Sequence, residues 1–141
     1  MAKYRQNFQY DDALNLKDAA DVTSTAAGSL VVDLGDGFFD GYLVIDVTAL
    51  EVASTDEKYT IVLEGSNVAA LASGSVVLAA APMMGNSVAP ADADTAVGRF
   101  AVPVTNEQNG ELYRYVRVHT TVAGTIDTTG INYSAFLAKR A

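Results

Sequence analysis

From residue 29 onward the chain consists of short runs rich in Val, Ile, Leu and Tyr, separated by Gly, Asn, Asp and Ser clusters, with no long helical periodicity. That spacing restricts it to an all-β domain. Residues 41–52 place Leu43, Ile45 and Val47 on one face and Tyr42, Asp46 and Thr48 on the other, a period of two that buries the Ile45 face. Residues 58–64 alternate Tyr59, Ile61 and Leu63 against Thr60, Val62 and Glu64. Pairing of these two runs as a hairpin is the economical expectation.

The remaining runs extend the pattern. Residues 29–34 read as a first strand, closed by the turn Gly35-Asp36-Gly37. Residues 66–73 form a loop or one helical turn, being too short for a reliable helix. Residues 76–81 are continuously apolar, with alanines that let another surface come close, and residues 82–95 are the long connection. Residues 98–105 contain Pro103, which cannot donate to a ladder, so this strand belongs at an edge or carries a bulge. Asn109-Gly110 suits the positive φ angles of a tight hairpin. Residues 112–123 set Val116, Val118, Thr120 and Val122 against Tyr113, Tyr115, Arg117 and His119. Residues 131–138 turn Ile131, Tyr133, Ala135 and Leu137 inward, with Phe136 opposite. Seven or eight strands with one long crossover fit an antiparallel β-sandwich of the Greek-key or jelly-roll kind over residues 28–141.

Residues 1–27 differ in kind. They hold Lys3, Tyr4, Arg5, Phe8 and Tyr10, then Asp11-Asp12 and the weakly amphipathic Ala13-Leu14-Asn15-Leu16. Aromatic rings left in water would waste apolar area, so the segment reads as an extended N-terminal arm packed on its own sandwich or on a neighbouring chain. A frayed tail is the plain alternative.

With 141 residues and half of them hydrophobic, one domain can bury about two-thirds of its unfolded surface. Seventeen acids against nine Lys and Arg give a net charge of -8, the wrong sign for nucleic acid or anionic lipid, so neither is expected as a partner. No run approaches the roughly 18 apolar residues of a membrane span, and the basic start lacks the apolar core of a secretory signal. Synthesis in a cytoplasm is the expectation. Without cysteine and with His119 as the single histidine, thiolate and histidine metal sites cannot be assembled, and no enzyme activity or cofactor is expected. A cupin-like hydrolase or isomerase would need several histidines.

The candidate motifs resolve to bland readings. Gly35-Asp36-Gly37-Phe38-Phe39-Asp40-Gly41 resembles a dinucleotide loop, but its third glycine falls one place late and a strand follows, so it reads as a turn. Asp33, Asp36 and Asp40, like Asp92 and Asp94, lack the spacing of a calcium loop and read as solvated acids. His119 lies beside Arg117 without an obvious carboxylate, a poor setting for a general base, and reads as a surface or interface residue. Gly85-Asn86-Ser87-Val88-Ala89 is one residue from a nucleophile elbow but sits in an irregular stretch. Asn132-Tyr133-Ser134 matches a glycosylation acceptor with no route to the enzyme. Tyr113, Tyr115 and Tyr133 either stack on a sugar or protein or fill the core.

Residues 12–25 leading into 29–35, then 59–66, 98–104, 114–124 and 130–136, resemble the small jelly-roll capsid cement, or decoration, proteins of tailed bacteriophages. The resemblance covers most of the chain. It implies a homo-oligomer, dimeric or trimeric, seated on the outer capsid surface and clamping adjacent major capsid proteins, with its final location on the virion. No catalytic or cofactor residue is implied. An apolar composition, the aromatic arm and basic ends at Lys3, Arg5, Lys139 and Arg140 suit burial against a shell, which makes Lys3, Tyr4, Arg5, Phe8, Tyr10, Lys139 and Arg140 the candidate interface. The rival reading is a carbohydrate-binding, lectin-like sandwich using Tyr113, Tyr115 or Tyr133 as a platform.

Overall fold

The computed structural model describes residues 8–85 and 97–140. Among the described residues a 3-10 turn, Asp12–Leu14, precedes eleven strands: β1 (Asn15–Val22), β2 (Ala26–Ala27), β3 (Val32–Asp33), β4 (Asp40–Leu50), β5 (Lys58–Ser66), β6 (Val76–Ala80), β7 (Gly98–Thr105), β8 (Glu107–Gln108), β9 (Glu111–Leu112), β10 (Tyr115–Ala123) and β11 (Ile131–Lys139). They build an antiparallel β-sandwich. One sheet runs β1-β11-β4-β7, and the other runs β2-β10-β5-β6, with β3 also on β10. Strands β8 and β9 form a separate hairpin whose tip holds Asn109 at φ 55° and Gly110 at φ 84°, as the Asn-Gly pair requires. No helix among the described residues is long and apolar enough to cross a membrane.

The two-residue period decides what is inside. Leu43, Ile45 and Val47 of β4 and Ile131, Tyr133, Ala135 and Leu137 of β11 join Tyr59, Ile61 and Leu63 of β5 and Val116 and Val118 of β10 in one buried core. Each fully buried aliphatic or aromatic side chain contributes about 1.5–3 kcal/mol. The two core tyrosines keep their hydroxyls bonded: Tyr59 donates to the Glu51 carbonyl at 2.7 Å, and Tyr133 shares a 2.7 Å hydrogen bond with Thr120. Burial pushes both phenols up to about 12.

Several expectations need correction. Strands β4 and β5 are not a hairpin, because β4 bonds to β11 and β7 while β5 bonds to β10 and β6. Their apolar faces meet across the interior instead of lying side by side. The first strand expected over 29–34 is only β3, with Leu30 and Val31 exposed. Residues 112–123 are not one strand, since Asn106 takes both backbone groups of Tyr113 and so ends the ladder before Tyr115. Residues 15–22 and 26–27, assigned by sequence to the arm, are β1 and β2, woven into the two sheets. Within β1 only Leu16 is buried, which left no alternation to read. Strand β7 lies at a sheet edge, as Pro103 demanded.

Candidate functional site

Strands β4 and β10 start, and β5, β7 and β11 finish, at one end of the sandwich, so the loops 34–39, 67–75 and 106–114 gather there. Polar side chains hold these loops in place. Buried Asn106 accepts from the Phe39 amide at 2.8 Å and donates to the Gly37 and Tyr113 carbonyls at 3.0 Å each. Asn67 donates to the Leu112 carbonyl at 3.1 Å and accepts from the Arg114 amide at 3.0 Å. With the backbone so tied, the tips carry apolar side chains outward: Phe38 is 62% exposed, Val68 44% and Leu112 37%.

The described parts of both termini come to the neighbouring sheet face. Outward-facing Val44, Phe136 and Ala138 form a small second cluster, and the segment before β1 lies over it. Phe8 meets Tyr42 with ring centroids 5.1 Å apart, and Tyr10 stands edge-on to Phe136 at 5.3 Å. From the other terminus, Arg140 lies 4.9 Å over the Tyr42 ring, donates to its hydroxyl at 2.9 Å and pairs with Asp40 at 3.1 Å. Lys139, the last residue of β11, is exposed. Phe8, Tyr10 and Arg140 therefore share one region, through Tyr42 and Phe136, while Lys139 is exposed at the end of β11 without a contact to them; Lys3, Tyr4 and Arg5 lie outside the described residues.

The expected basic end is weaker than the sequence implied, because Asp40 neutralises Arg140. The other described arginines are matched too: Arg99 with Asp46 at 2.6 Å, Arg114 with Asp33 at 2.7 Å, and Arg117 with Glu64. The more exposed pairs, those of Arg99, Arg114 and Arg140, add little to stability, but they cancel local charge. Asp33, Asp36 and Asp40 are solvent-accessible acids, as read, and each also pairs with an arginine, the first two with Arg114. Hydrogen bonding to Arg114 holds the Asp33 carboxyl below its ordinary range. The described residues contain no group of three His, Asp or Glu placed to share a metal ion.

Of the three tyrosines considered for stacking, Tyr133 is wholly buried and offers no face, while Tyr113 and Tyr115 are half-buried. His119 is half-buried on β10 opposite Val62. Asn132 lies in a strand and donates to Asp21 at 2.7 Å. Asn86, Ser87, Val88, Ala89, Asp92 and Asp94 lie outside the described residues. Sequence reading passed over Asn106 and Glu51, two buried polar residues whose partners lie far along the chain. The chain matches no family model and no curated protein with which it was compared.

Proposed function

We propose that this chain is a structural virion protein, a capsid cement or decoration protein that binds the outer surface of a phage capsid as a dimer or trimer. In that role it ties neighbouring major capsid proteins together. The strand orders β1-β11-β4-β7 and β2-β10-β5-β6 are those of two interlocked Greek keys, which supports the jelly roll that the resemblance implies.

The observation that carries this reading is the gathering of apolar loop tips, Phe38, Val68 and Leu112, at the end of the sandwich where β11 delivers Arg140 beside Phe8 and Tyr42. Rigid loops presenting apolar tips lose little conformational freedom on docking. An interface of at least about 1,000 Å², repeated over a shell, then strengthens the lattice through area and multiplicity. Exposed acids without an arginine partner, such as Asp11, Asp12 and Asp127, face solvent and keep particles apart.

The test is co-sedimentation of the purified protein with emptied heads of the phage that encodes it, with light scattering for the oligomeric state. Saturable binding of an oligomer is expected. A monomer that stays in the supernatant at every concentration would overturn the proposal.

A further inference from the structure

The outer face of the first sheet carries a groove of about 290 Å³ between the segment holding Tyr10 and the edge of β1. Its floor is set by register. Ser134 of β11, Asp46 of β4 and Arg99 of β7 are consecutive cross-strand partners, so three polar side chains stand in a row. Phe136, Tyr10, Asn15 and Asp18 also line the groove.

The chemistry of the lining is mixed in a specific way. Tyr10 is 53% exposed, its hydroxyl donates to Asp12 at 3.1 Å and its ring stands edge-on to Phe136, so it is a fixed and open aromatic face. Arg99 spends Nε and Nη2 on Asp46, at 2.6 and 2.9 Å, which leaves Nη1 to donate. Asn15 donates to one oxygen of Asp18 at 2.8 Å, which leaves the Asn15 amide oxygen and the second Asp18 oxygen to accept. The Lys17 ammonium, also at the groove, is occupied by the carbonyls of Asp18, Ala20 and Tyr133.

Lys17 and Arg99 are balanced by Asp18 and Asp46, so the groove has no net charge with which to favour an ion. It offers an aromatic face to C–H bonds and planar carboxylate, amide and guanidinium groups to hydroxyls. A ligand that carries both on a ring is a neutral sugar. From this geometry we propose that the groove binds a neutral hexose, free or at the end of a glycan, with Tyr10 as its stacking platform and Arg99, Asp46 and Asp18 as its hydroxyl partners. The volume, at the lower limit of ligand pockets, suits one ring. This moves carbohydrate recognition away from Tyr113, Tyr115 and Tyr133.

The test is titration of the full chain with glucose, galactose, mannose and N-acetylglucosamine, followed by NMR, with glucuronic acid for comparison. At least one neutral sugar is expected to saturate with affinity on the order of 1 mM. Tyr10→Ala and Arg99→Ala should each weaken it about tenfold or more, while Tyr115→Ala leaves it unchanged. Tyr10 is exposed, and a thermal melt confirms that its variant is folded. Failure of every neutral sugar to saturate, preference for glucuronic acid, or binding that survives Tyr10→Ala overturns the proposal.

Discussion

Glu51 and Gly130 are hydrogen-bonded to each other twice: the Glu51 amide donates to the Gly130 carbonyl at 2.7 Å, and the Gly130 amide donates to Glu51 Oε1 at 3.0 Å. The amides of Asp127, Thr128 and Thr129 donate to the same carboxylate, so the loop between β10 and β11 wraps around one anion. These donors stabilise the charged form and hold the Glu51 carboxyl at about 2, below the ordinary 4.5.

A carboxyl lowered on folding contributes stability that is complete above its unfolded value and is lost as pH falls toward the folded one. Melting temperature should therefore fall as pH drops from about 4.5 to about 2. In Glu51→Gln the melt should be lower at pH 7 and its acid dependence shallower. Circular dichroism melts across this range check both, and identical slopes would exclude Glu51 as a source of the acid lability.

Gly130 has φ +60°, and a methyl group there would run into the Val22 carbonyl oxygen. Gly130→Ala therefore combines a left-handed backbone with a steric clash and should lower stability by more than about 1 kcal/mol in urea unfolding. A neutral result would mean that the loop relaxes without disturbing Glu51.

The Tyr133–Thr120 bond is buried on both sides. Removing one partner strands the other, so Tyr133→Phe should cost about 1–3 kcal/mol. Adding Thr120→Val removes the stranded hydroxyl and should restore part of that loss. A double-mutant cycle by chemical denaturation measures the coupling, and strictly additive losses would count against it.

Phe38 projects from a loop whose backbone is held by Asn106, so its side chain can be changed without touching the core. Phe38→Ser should leave stability within about 0.5 kcal/mol. Co-sedimentation with shells should weaken, and unchanged binding would remove this end of the sandwich from the interface.

Much of the sandwich was legible because burial follows a period of two. Ile45, Ile61, Val118 and Leu137 all face inward as their neighbours required, and Phe136 stands on the opposite face. Alternation names the buried face but not what lies against it, which is why β4 and β5 read as a hairpin when they oppose each other across the core. In β1 only Leu16 is fully buried, with Val22 packed at the margin of the core, so Lys17, Asp18 and Asp21 read as tail. Of the site, the aromatic residues Phe8 and Tyr10 were visible as apolar groups needing cover. The pairing of Arg140 with Asp40, the lock of Asn106 on Phe39 and the row Ser134, Asp46, Arg99 were not, because each joins residues remote in sequence.

Strand β11 lies between β1 and β4, and it leaves the ribosome after both of them. Until translation passes residue 139, the emerging polypeptide has a gap at the middle of one layer, flanked by two ladder edges that only its own later residues can bridge. Such long-range closure slows folding and exposes those edges to pairing with other nascent chains. Messages truncated before residue 131 should thus yield sticky fragments rather than smaller working molecules.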